Sequence, residues 1–166
     1  MKLGLLILLL LTQLISLSQK NCRVPYASVH KSFNSSLIDS LKNLCFETKN
    51  NKKYIPRFIK KNMKCWKKGK FRIANPGKPY NDTDYIVREL PRRRMNYLGL
   101  NNSYVILSYD HGGLGHHQHI LIFRIEKKEI KEFYSLYGNA NSNEELVILL
   151  NYLKDKKEVL NNSDEF

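Results

Sequence analysis

Between residues 84 and 136 the hydrophobic pattern changes to a period of two, and nothing else in the chain restricts its fold as strongly. Five strand-length runs rich in Ile, Val, Tyr and Phe follow one another there, at 84–90, 94–100, 103–109, 118–125 and 129–136. Pro91, Asn101-Asn102 and Glu126-Lys127-Lys128 separate them at hairpin-like distances. An antiparallel meander of about five strands is the expected result. Val105-Ile106-Leu107 and Ile120-Leu121-Ile122-Phe123 are apolar on both faces, so each side of the sheet needs a cover.

Three helical stripes can supply that cover. After Ser35-Ser36, Leu37, Ile38, Leu41, Leu44 and Cys45 repeat at helical spacing. Pro56 opens a second stripe with Phe58, Ile59, Met63 and Trp66, which Gly69 ends. Residues 74–83 are turn-formers. Near the C-terminus, Ser142-Asn143-Glu144-Glu145 has capping-box form and precedes Leu146, Leu149, Leu150 and Leu153. The fold class is α+β: an antiparallel meander with N-terminal helices and a C-terminal packing helix.

Of the 166 residues, the first 18 read as a secretory leader. Lys2 is followed by a leucine-rich run to Leu17, shorter than the roughly 20 residues a permanent span needs. Ser16-Leu17-Ser18 suits cleavage, leaving Gln19 as the mature N-terminus. Residues 19–166 then form a single exported domain, with 19–34 a loose lead-in and 161–166 a frayed tail. Its expected location is secreted or periplasmic, with no transmembrane segment once the leader is removed. In an oxidising space Cys22, Cys45 and Cys65 allow one bridge. Cys45–Cys65 is the expected pair, closing a loop of about twenty residues for about 3 kcal/mol.

The formal net charge is +13, and it is concentrated. Residues 49–94 hold sixteen Lys and Arg against three acids, and the rest of the chain is balanced. Aromatic residues interleave with the cations, which suits an anionic polymer or an envelope surface as partner. No specific nucleic-acid module accompanies them. Within Arg92-Arg93-Arg94, strand alternation puts Arg92 and Arg94 on one face, where two guanidinium forks suit one carboxylate or phosphate.

Chemistry concentrates in residues 110–119, which contain four of the five histidines and join two core strands. Three readings compete for this segment. In the first, His117 and His119 point to one side of a strand and His111 returns across the loop. Three imidazoles then hold zinc with an open fourth position, and Asp110 ligates it or orients a ring. In the second, Gly112, Gly113 and Gly115 form an anion-binding nest beside His116. In the third, the glycines serve a bulged hairpin, and His119 is a hydrogen-bonded core imidazole beside Leu121 and Phe123. The sequence leans to a binding or structural role with a basic surface for an anionic partner. The alternative is a zinc-type hydrolase of a phosphate-containing or other anionic substrate, using the loop 110–119.

Overall fold

The computed structural model describes residues 35–67, 71–113 and 115–155. The expected leader, lead-in and frayed tail lie outside these residues, as does Cys22. In chain order come α1 (Ser35–Asn43), β1 (Glu47–Thr48), a 3₁₀ turn (Lys52–Tyr54), α2 (Arg57–Trp66), β2 (Arg93–Leu100), β3 (Tyr104–His111), β4 (His117–Glu126), β5 (Glu129–Tyr137) and α3 (Asn143–Asp155). Five strands form one sheet in the order β1-β2-β3-β4-β5, and every neighbouring pair is antiparallel. Among the described residues no helix is long and apolar enough to cross a membrane.

Strand alternation sorts the core into two layers. Tyr104, Ile106, Ile120, Ile122 and Leu136 face one side, where Leu37, Ile38 and Leu41 of α1 and Leu146 and Leu150 of α3 cover them. Val105, Leu107, Leu121, Phe123 and Phe133 face the other, under Ile59 and Met63 of α2 and the segment carrying Phe71 and Ile73. Asn143 Nδ2 donates to the Leu41 carbonyl at 2.9 Å, tying α3 to α1. The α3 cap is formed largely as read: Ser142 Oγ accepts from Glu145 N at 3.2 Å, and the Glu145 carboxylate accepts from Asn141 N at 2.8 Å.

Both hairpin turns have a local cause. Asn101 Oδ1 accepts from Ser103 N and Tyr104 N, closing the β2–β3 turn. Between β4 and β5, Lys127 and Lys128 both take positive φ, 49° and 63°, as a two-residue I′ turn requires.

Two expectations need correction. Residues 84–90 form no strand. The buried Asn81 amide donates to the carbonyls of Val87 and Leu90 and accepts from Val87 N. Those bonds use the backbone groups that a ladder would need, and the segment loops out instead. The fifth strand is β1, which pairs Glu47 with Leu100 and Thr48 with Gly99. The second correction concerns cysteine. Cys45 is an exposed free thiol, whereas Cys65 is disulfide-bonded to a partner outside the described residues. Cys45 follows α1 and Cys65 lies on α2, and these helices cover opposite faces of the sheet.

Candidate metal centre

Register builds the site. In the β3–β4 hairpin His111 pairs with His117 and Tyr109 with His119, and across β4–β5 His119 pairs with Tyr137. Alternation puts all five side chains on the α2 face, at the end of the sheet where the β3–β4 loop turns. The ligand-capable nitrogens of His111, His117 and His119 all lie within 4.8 Å of one another. His111 Nδ1 and His117 Nε2 are 3.2 Å apart. Two nitrogens on a tetrahedral zinc ion stand about 3.3 Å apart, so this pair already has ligand spacing.

Each imidazole is prepared differently. His117 Nδ1 donates to the Gly115 carbonyl at 2.5 Å, which leaves the Nε2 lone pair directed at His111. Gly115 has φ +77°, a conformation that favours glycine at the residue orienting the ring. His119 is wholly buried, stacked on Tyr109 at 5.2 Å and beside Tyr137 at 4.8 Å. Neither of its ring nitrogens has a hydrogen-bond partner among the described residues. The reading of His119 as a hydrogen-bonded core residue therefore does not match its surroundings. A buried imidazole left this way costs about 1–3 kcal/mol unless something pairs with it.

Burial keeps two of the three rings, those of His111 and His119, neutral. Burial, reinforced by Arg93, His117 and Arg92, pushes His111 down to about 4. Burial and the neighbouring His117 and His111 push His119 down to about 3. Near neutral pH both are in the lone-pair form that a cation needs.

The centre opens on a cleft of about 360 Å³ lined by Lys67, Asp84, Ile86, Arg92, Arg93, Gly112 and Gly113 with His111 and His117. Arg93 is buried, its guanidinium 4.8 Å above the Phe71 ring. Gly112 is indispensable for shape, because a Cβ there would stand 1.9 Å from the Asn81 carbonyl oxygen. Its own N–H donates to the Arg92 carbonyl at 2.9 Å, so it is not a free donor of an anion nest.

Other sequence candidates are placed elsewhere. Asp110 lies one residue from His111 and so faces the opposite side of the strand. There Arg94 Nη2 reaches Asp110 Oδ2 at 2.8 Å, and Asn96 and Gln118 donate to Oδ1 at 2.8 and 3.0 Å. Burial opposes ionisation of Asp110, but these hydrogen bonds outweigh it and hold the carboxyl below its usual range. His116 is on that side too, 3.1 Å from Tyr80 Oη, and Arg94 lies over the Tyr80 ring at 4.5 Å. The arginines of the histidine cleft are thus Arg92 and Arg93, because β2 begins at Arg93 and sends Arg94 to the far face. Asp84, Arg93 and Lys67 were not among the sequence candidates. Tyr137 follows from the β4–β5 register, whereas Asp84 was hidden by the assumption that 84–90 is a strand.

No protein-family model, curated protein or solved structure matches this chain.

Proposed function

We propose that His111, His117 and His119 hold a zinc-type divalent cation and that this centre hydrolyses a phosphate-containing substrate drawn into the basic cleft. One observation carries the reading: three convergent imidazoles, of which His119 is wholly buried with both nitrogens unpartnered among the described residues. A pair of nitrogens at 3.2 Å and a tautomer set by the Gly115 carbonyl fit the donor set such an ion prefers. When bound, the cation supplies an acidified water at the open fourth position. Arg92 and Arg93 hold the anion and offset its charge, and Asp84 on the same wall accepts the proton that water gives up. Export of the domain, which puts this chemistry outside the cytosol, belongs to the same proposal.

Zinc titration of metal-stripped protein tests it. The expected result is about one equivalent bound per chain, lost in His117→Ala and His119→Ala, with zinc-dependent cleavage of bis(nitrophenyl) phosphate. Equal zinc uptake by the triple alanine variant and the native protein would refute the centre. A second reading, anion binding without turnover, draws on the sixteen cations of residues 49–94. It predicts retention of anions by metal-stripped protein and no cleavage after zinc is restored.

A further inference from the structure

The histidine cleft does not end at the histidines. A second hollow of about 540 Å³ shares Lys67, Ile86, Arg92, Arg93 and His111 with it. It continues past Pro91 to Arg72 and Arg88. The two form one trough with the imidazoles near one end and a guanidinium pair at the other. Arg72 is fixed in place: its Nη1 donates to the Arg88 carbonyl at 3.2 Å and its Nη2 to the Glu89 carbonyl. Arg93 is held by its stack on Phe71. A lone phosphate needs one or two guanidinium forks, yet this trough spreads four arginines along its length.

Ile86 and Val87, 41% and 37% exposed, give one wall an apolar stretch, and Tyr85, 81% exposed, precedes them on the loop that Asn81 braces. A row of cations beside an exposed aromatic and aliphatic ledge suits a polyanion whose units carry flat π-faces, as nucleobases do.

We propose that the trough seats single-stranded nucleic acid, with one phosphodiester at the histidine centre, the neighbouring phosphates along Arg92, Arg88 and Arg72, and bases against Tyr85 and Ile86. Its turnover rests on the metal-centre reading, whereas its binding does not. In the reaction a water oxygen bonds to phosphorus and the ester P–O bond breaks. The products are a phosphomonoester and an alcohol, and the water's proton passes through Asp84 to the leaving oxygen.

Binding of a fluorescein-labelled oligothymidylate to metal-stripped protein, followed by anisotropy, tests the trough apart from the metal. Arg88→Gln with Arg92→Gln should weaken binding by roughly tenfold or more and lower the slope of log affinity against log salt by about 2. Tyr85→Ala should weaken it by roughly fivefold or more through lost stacking. Lys127→Gln with Lys128→Gln, at the far end of β4, should change neither quantity appreciably. Equal loss from the two double variants, or a heparin fragment competing as well as the oligonucleotide, would overturn the assignment. Zinc-loaded protein that cleaves bis(nitrophenyl) phosphate but leaves the oligonucleotide intact would overturn it while keeping the metal centre. Oligonucleotide binding with no zinc uptake would do the reverse.

Discussion

His119 is a residue whose isolated and liganded states should respond oppositely to substitution. Both ring nitrogens are buried without partners among the described residues, so in metal-stripped protein the imidazole is a liability. His119→Leu is expected to stabilise that form by roughly 1–2 kcal/mol. Zinc at a hundredfold over its dissociation constant should add about 2.7 kcal/mol to the native chain, and little to the variant. Paired thermal melts with chelator and with zinc read both signs; a variant destabilised in both would make His119 an ordinary packing residue. Acid gives the same residues a second readout. His111 and His119 have folded values of about 4 and about 3 against 6.5 for the free side chain. Between those values and 6.5 the unfolded chain binds protons that the native chain refuses. The stability that these two imidazoles carry in the metal-stripped protein is therefore complete above pH 6.5, falls as pH drops below it, and is lost by about pH 3. Urea titrations from pH 7 to 4 measure the slope, which His119→Leu should make shallower. Strand alternation alone brought His117 and His119 together, and applied once more it would have set Asp110 apart, since neighbours on a strand face opposite ways. Proximity in sequence to His111 was the misleading cue.

Among the elements, β3, β4, β5 and the stripes of α1 and α3 were legible because burial repeats at their own periods. Residues 84–90 were not. Tyr85-Ile86-Val87 carries strong β propensity, which reports fit to a pleated, half-buried surface more than a backbone preference. Asn81, outside that window, decides the conformation by bonding Val87 and Leu90. β1 escaped for another reason: two exposed residues have no period to read. Asn81→Ala should leave those backbone groups without their partner and lower stability by roughly 1–3 kcal/mol. Because this loop carries Asp84 and Ile86, the variant should also lose catalytic rate while binding zinc as before. Limited proteolysis should show earlier cleavage within 82–90 than in the native protein. Unchanged cleavage there would mean that other contacts brace the loop.

At the scale of the whole molecule, the same layering that positions the histidines puts α1, which Cys45 follows, and α2, which carries Cys65, on opposite faces of the sheet. The need for a cover on both faces was readable from the doubly apolar middle strands, but which helix takes which face was not, since both stripes are equally suited to either. The pairing of Cys45 with Cys65 was favoured because Cys22 lies close to the expected mature terminus, where chains are often loose, and that argument carries no information about which face of the sheet each helix covers. A free Cys45 and a bridged Cys65 predict a specific thiol count. Protein recovered from an oxidising compartment should take about one maleimide per chain without reductant, on the peptide containing Cys45, which is exposed and free. Unfolding with reductant should raise the count to the three cysteines of the sequence. Cytosolic expression in a reducing strain should expose the Cys65 thiol as well, and the resulting chain should melt at lower temperature, since breaking a native bridge in a small exported domain typically costs about 2–5 kcal/mol. Mass spectrometry of the labelled peptides decides the matter: a label on Cys65 in the oxidised native protein would contradict its bridge.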